Sequence, residues 1–331
     1  MEEKPILYFS YQSFHSQKVL MYFYEKGVEF DSYVIDDENG EKFDSWYLRM
    51  NPRGELPTLE VEDKFISGSE EIIDYVEEKQ FGRKSLIVKS VNHRESKINT
   101  IKEKLIAIPI EQLTIGTAYF PQYRTHDVPP FSSESFRSWM IQCNKTRCDR
   151  LRIVSKNNFG TPAEAILLAK AIEYTGKTRK YADEKEHQKI LKQILSVLEE
   201  IENSLSKEFC NGKEPNYPVM YLDGQTLTEV DCLLAVILHR VAWLGYNEYI
   251  TKDKPVLSCW WKMMQKRESF QKSTKVPIFS IPVLKRKICE HKFKIITALG
   301  LIAAFAFGYS YRSHKCDNQT MKRFIILEKL W

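Results

Sequence analysis

Residues 51–76 read NPRGELPTLEVEDKFISGSEEIIDYV, which parses as a loop, a strand, a tight turn, a second strand and a helix. Pro57 stands at the head of an apolar run. It has no N–H to give to a ladder, which suits the first residue of a strand. The Leu56–Pro57 bond is of the kind that tolerates a cis peptide, and the sequence leaves cis or trans open. Thr58-Leu59-Glu60-Val61 and Lys64-Phe65-Ile66 then form a hairpin around Glu62-Asp63. Ser67 or Ser69 starts the helix, with Glu70 three residues after Ser67 as a capping-box partner. Ile72, Ile73 and Val76 recur at helical spacing and form its apolar face.

Upstream, Ile6 to Phe9 reads as a strand and Ser10 to Gln17 as a polar turn. Val19, Leu20, Phe23 and Tyr24 mark a helix that stops at Gly27, and Phe30 to Ile35 is a second strand. The order is βαβ then ββα, a thioredoxin-like domain over about residues 1–82. Ser13 or Ser16 is placed to cap the first helix. Tyr8 and Tyr11 read as packing residues, and His15 as an exposed side chain for which the sequence identifies no partner.

Beyond Gly82 the strand signals fade, and residues 83–275 read as an all-helical domain. Ile98, Ile101, Leu105 and Ile106 fall at helical spacing before Pro109, and residues 121–138 look irregular. An insert at about 136–186 is polar and basic, with Pro162 to Tyr174 as its one helix candidate. It reads as a solvated face or, more sharply, as a partner-binding arm. Residues 184–206 form an amphipathic helix on the stripe Ile190, Leu191, Ile194, Leu195, Leu198, Ile201 and Leu205. Thr228 and Asp231 form a structural capping box for the next helix, whose core face is Leu233, Leu234, Ile237, Leu238 and Val241.

The chain is long enough, at 331 residues, for two packed units. A net charge of +5 makes no case for nucleic acid as a partner. Seven scattered cysteines without a CxxC fit a reducing compartment, and the histidines show no metal-ligand spacing. No secretory h-region is expected at the N-terminus.

Asn51-Pro52-x-Gly54-x-x-Pro57-x-Leu59, followed by Ser69-x-x-Ile72, resembles the glutathione-binding half of the glutathione transferase family. The resemblance implies an α+β fold with a thioredoxin-like domain and a helical domain. It implies glutathione as ligand or substrate, with no other cofactor required. Backbone at Leu56 beside a cis-Pro57 would pair with the cysteinyl moiety. Gly68, Ser69 and the helix N-terminus would lie around the γ-glutamyl carboxylate, since free N–H groups favour an anion there. Gly68 stands where the family usually has Glu or Gln. Ser13 falls where theta-like members carry a catalytic serine, which would hydrogen-bond the glutathione thiolate and lower its pKa. Ser16 falls where thiol-using relatives have a second redox position, and His15 replaces the proline that normally follows the serine. Thr228 and Asp231 match the folding box of the family's helical domain.

Residues 295–311, IITALGLIAAFAFGYSY, carry no charge and are fenced by Lys292, Lys294, Arg312 and Lys315. Basic flanks that snorkel to headgroups favour a membrane span over a core helix, with Ile295, Leu301, Phe305 and Tyr311 in it. The expectation is a tail anchor at 295–311, a juxtamembrane segment at 276–294 and a short tail at 312–331. LYFSYQSFHSQKV, NPRGELPTL, IIDYVE, LAVILHR and VLKRK, together with this anchor, resemble the ganglioside-induced differentiation-associated protein 1 family, including its invertebrate members. That resemblance implies a mitochondrial outer-membrane protein, with peroxisomes as a second location, whose body faces the cytosol. It implies promotion of mitochondrial fission with little or no transferase activity. An active transferase that uses Ser13 is the alternative, and a binder of another small molecule in the inherited cleft is a third reading. The membrane, a second copy of the chain, and cytoskeletal or fission-machinery proteins are the partners it suggests.

Overall fold

The computed structural model describes residues 4–82, 85–86, 93–210, 221–224 and 226–275. The chain divides after Val276, and the described residues all lie in the first unit, Met1–Val276. The predicted juxtamembrane segment, the anchor with Ile295, Leu301, Phe305 and Tyr311, and the tail lie outside the described residues. Among the described residues no helix is long and apolar enough to cross a membrane.

Four short strands, β1 (Ile6–Phe9), β2 (Asp31–Val34), β3 (Thr58–Val61) and β4 (Lys64–Ser67), form one sheet in the order β2-β1-β3-β4. β1 and β2 run parallel, as a strand–helix–strand crossover requires, while β3 is antiparallel to both β1 and β4. Helices α1 (Phe14–Lys26) and α3 (Ser69–Glu78) bury Val19, Leu20, Phe23, Ile72, Ile73 and Val76, the stripe read from the sequence. A six-residue helix, α2 (Ser45–Met50), escaped the sequence reading: it buries only Tyr47 and Leu48, too few for a period.

The start of α3 differs from the expected capping box. Gly68, not Ser67, is the cap, at φ +106°, a conformation L side chains rarely adopt. Ser67 ends β4, and Glu70 turns away to form an ion pair with Lys18 of α1.

The helical part follows as α4 (His93–Ile106), α5 (Ile110–Tyr119), α6 (Glu134–Asn157), α7 (Pro162–Tyr181), α8 (Glu184–Cys210), α9 (Glu229–Trp243), α10 (Glu248–Thr251), α11 (Pro255–Gln265) and α12 (Glu268–Thr274). Ile98, Ile101 and Leu105 are buried as expected, but Ile106 is 48% exposed. The basic insert is a two-helix hairpin, α6 and α7. Its α6 was not foreseen because that helix buries Asn144, Leu151 and Ser155, a mixture with no apolar period. The stripe on α8 is buried except at Leu195, which is half-buried.

Asp231 is fully buried at the start of α9 and accepts from the N–H groups of Thr228 and Leu222, both at 2.9 Å, and from the Thr228 hydroxyl at 2.8 Å. Burial pushes this carboxyl up to about 6, against the pull of those bonds. Two arginines are among the contacts that tie the helical part to the sheet domain. Arg267, ahead of α12, donates to both oxygens of Glu25 on α1 at 2.6 and 2.8 Å. Buried Arg240 of α9 donates to the Gln12 carbonyl at 2.7 Å and so fixes the β1–α1 loop.

Candidate functional site

The motif that begins at Asn51 is a side-chain clamp on the proline loop. Asn51 Nδ2 donates to the Glu55 carbonyl and to Thr58 Oγ1, both at 3.0 Å. The Tyr47 hydroxyl also bonds Glu55 O, at 2.5 Å, and Thr58 Oγ1, at 2.8 Å. Asn51 and Tyr47 are buried, so these bonds satisfy polar groups that would otherwise be unpaired. Gly54 sits at φ +57°, where an added Cβ would come within 2.8 Å of the Phe43 ring. The clamp presents Leu56 and Pro57, joined by a cis peptide bond, at the mouth of β3.

Next to the proline loop lies the start of α3. Gly68 N–H reaches the Pro57 carbonyl at 3.4 Å, which sets the helix N-terminus beside the loop. Two groups of this chain already occupy that corner. The buried Ser69 hydroxyl bonds Nδ1 of His15, at 3.2 Å. The Glu71 carboxylate lies 2.0 Å from where a Cβ on residue 68 would begin. The end of the Glu71 side chain thus lies where a side chain on residue 68 would begin.

Ser13 caps α1: its Oγ accepts the Ser16 N–H at 3.3 Å. That is the capping role read from the sequence, and it leaves the hydroxyl proton to donate elsewhere. Ser16 is buried and accepts the Ser10 N–H at 3.3 Å. His15 is exposed, as expected, yet it has the partner the sequence did not reveal. Protein packed around its ring, and then the Lys18 ammonium, hold its pKa below the ordinary histidine value. Lys18 is buried and paired with the partly exposed Glu70, and burial draws its pKa down although Glu70 opposes this.

Beyond His15 a cleft of about 390 Å³ opens between the sheet domain and the helices. Phe14, Leu105, Ile108 and Ile110 supply apolar walls, and His15, Lys18 and Glu70 close the polar end. Lys177, Lys180 and Tyr181 of the hairpin also line it, a contribution no local pattern announced. Glu111 of α5 is the hub on that side. It pairs with Arg147 of α6 and accepts from Tyr181 at 2.9 Å and from Tyr174 at 3.2 Å. Burial would raise the Glu111 pKa, but Arg147 and the two phenols outweigh it and hold the carboxyl below its usual range. Lys170 of α7 extends the tie to the proline loop, reaching Glu55 at 2.5 Å and the Arg53 carbonyl at 3.0 Å.

The structure therefore brings Leu56, Pro57, Gly68 and Ser69 to one corner, joins His15 to Ser69, and places Ser13 on α1. Thr228 and Asp231 belong to the distant capping box of α9. Among the described residues no group of His, Cys, Asp and Glu is arranged to hold a metal ion.

Residues 7–84 match the family model described as glutathione S-transferase, N-terminal domain. The chain is 27% identical over 275 residues to human ganglioside-induced differentiation-associated protein 1-like 1, covering 82% of this chain and 73% of that protein. The mouse counterpart is also 27% identical, over 279 residues, covering 82% and 74%. Glutathione S-transferase TCHQD of Arabidopsis thaliana is 22% identical over 277 residues, covering 80% and 88%. Among solved structures, beta-etherase LigF from Sphingobium superposes with TM-score 0.55 at 16% identity, over 82% of this chain and 98% of that one. Ure2p, solved in complex with glutathione, gives TM-score 0.53 at 17% identity, over 83% and 95%. The likeness to these structures is one of fold. By fold the chain is glutathione-transferase-like, and by sequence, over 82% of its length, it is similar to ganglioside-induced differentiation-associated protein 1-like 1.

Proposed function

We propose that this protein is a glutathione-transferase-shaped regulator on the cytosolic face of the mitochondrial outer membrane. There it promotes fission of the mitochondrial network and has little or no classical transferase turnover. The observation that carries the second half is the filled corner at α3: Ser69 is bonded to His15, and Glu71 takes the space of the missing residue-68 side chain. A ligand carboxylate entering there must displace a protein hydrogen bond and approach an existing negative charge, and both lower its affinity. The membrane half rests on the uncharged run 295–311 with its basic flanks and on the relationship to the ganglioside-induced differentiation-associated proteins. Peroxisomes are a second address under the same reading.

A second reading keeps the catalytic role. The cis-proline loop is intact, and Ser13 has a proton free to donate toward a thiolate. Depletion and re-expression separate the two. Loss of the protein should lengthen the mitochondrial network, and Ser13→Ala should restore it as well as wild type does. A chain truncated after Lys294 should become cytosolic and fail to restore it. Rescue by the truncated chain, or failure of Ser13→Ala alone, would contradict the proposal.

A further inference from the structure

The α6–α7 hairpin presents an unusual outer surface. Six of the eight large apolar side chains exposed among the described residues lie on it. Phe159 at the turn is 83% exposed, Ile172 64%, Ile153 58% and Trp139 48%. The hairpin, residues 134–181, also carries ten Lys and Arg against four Asp and Glu, a charge of +6 where the whole chain has +5.

The two properties share a surface. Ala163, Leu167 and Ala171 of α7 are buried in the seam with Leu151 of α6 and Leu48 of α2. Leu168, Ile172 and Arg179 recur at i, i+4 and i+11, which places them on one face of α7 turned away from that seam. On α6, Lys145, Arg152 and Lys156 recur at i, i+7 and i+11 and are all exposed. Asp149 lies in the same row but is paired with Arg152, at 3.1 Å. At the turn, Gly160 has φ +75° with open space on its side-chain face, next to the exposed Phe159.

We propose that this hairpin is a peripheral docking element that lies on an anionic lipid surface. Its cations meet the headgroups, while Phe159, Ile172 and their apolar neighbours enter the boundary with the acyl chains. Such a mixed surface is the composition of interfacial helices, where apolar area and attraction to anionic lipid act together. Aromatic rings are also favoured at this depth. A protein partner fits less well: binding energy between proteins concentrates in pockets that receive a few anchors. The apolar residues here spread over two helices and a turn, and neither the inter-domain cleft nor the hollow beside β2 includes them. The inference rests on the hairpin and goes beyond the organelle reading above.

The test uses the full chain carrying Phe159→Trp, with the unsubstituted chain as the tryptophan background. It is mixed with vesicles of brominated phosphatidylserine or of brominated phosphatidylcholine. The added fluorescence should shift to the blue and be quenched on the anionic vesicles, and stay unquenched on the neutral ones. In Lys145→Glu/Arg152→Glu/Lys156→Glu, the lipid concentration for half-quenching should rise roughly fivefold for each cation lost. Equal signals on both vesicle types would overturn the proposal. So would a shift produced by an acidic amphipathic helical peptide but not by vesicles, which would assign the face to a protein. Vesicle flotation, read in parallel, reports the C-terminal run separately: a chain that floats on both lipids without a signal at position 159 contradicts the hairpin assignment alone.

Discussion

Around the start of α9 and the joint with the sheet domain, charged side chains are turned inward; on the α6–α7 hairpin, apolar side chains are turned outward. Asp231, Arg240 and Glu25 are all buried or nearly so, and each is met by groups far away in sequence or at the edge of another element. The seam of the hairpin is small and partly polar, built on Leu151, Ser155, Ala163 and Ala171, while Phe159 and Ile172 face solvent. Removing one partner from a buried polar set leaves the others unsatisfied, whereas removing an exposed apolar group leaves nothing behind. The difference separates residues that hold the body together from residues available to something outside it.

The largest expected effect lies in the buried cap of α9. Asp231→Ala would strip the acceptor from Leu222 N–H, Thr228 N–H and the Thr228 hydroxyl, and should cost about 3 kcal/mol in urea unfolding. A loss under about 1 kcal/mol would mean that these buried groups find water or other partners.

Acidification probes the same interior. Burial lowers His187 and His239 to about 4, with Arg240 also acting on His239. Each stays neutral in the fold, so its contribution is complete above the ordinary histidine value and is lost as pH falls through about 4. His187 is fully enclosed: its Nε2 meets the Tyr246 hydroxyl at 3.0 Å, and a Cβ on Gly116 would stand 2.5 Å from its Nδ1. Protonation there creates a buried cation. Asp231 acts in the opposite sense. Raised to about 6, it contributes most at low pH and loses that contribution as pH rises through about 6. Two histidines outweigh one carboxyl, so unfolding should become easier by about 2 kcal/mol between pH 7 and pH 5. Replacing His239 with Gln should remove a large share of that slope. A profile that rises on acidification would reverse the assignment.

The smallest effect belongs to the hairpin. Ile172→Ser should change the unfolding free energy by no more than about 0.5 kcal/mol. A larger loss would show that this face is packed in the free protein and is not available for docking.

Legibility in the sequence divides along the same line. The β3–β4 hairpin, α8 and the α9 capping box were readable because each is specified locally, by a turn, a stripe or a Thr-x-x-Asp spacing. Gly68 could be located but not interpreted: its conformation, and the Glu71 carboxylate against it, exist only in three dimensions. The bond between His15 and Ser69 spans 54 positions and has no local signature. Arg240 did offer a signal, as a lone charge in the apolar run LAVILHR, yet its partner lies in the β1–α1 loop. The hairpin was half missed because α6 buries Asn144, Leu151 and Ser155, a mixture with no apolar period, while α7 carried a proline at its first turn.

The account depends most on the corner formed by Pro57, Gly68 and Ser69 being filled from within. Calorimetric titration of glutathione into the full chain tests this directly. No saturable heat through the millimolar range is expected, for wild type and Ser69→Ala alike. Millimolar-range binding that disappears in Ser69→Ala, accompanied by turnover that disappears in Ser13→Ala, would contradict it and restore the protein to the working transferases.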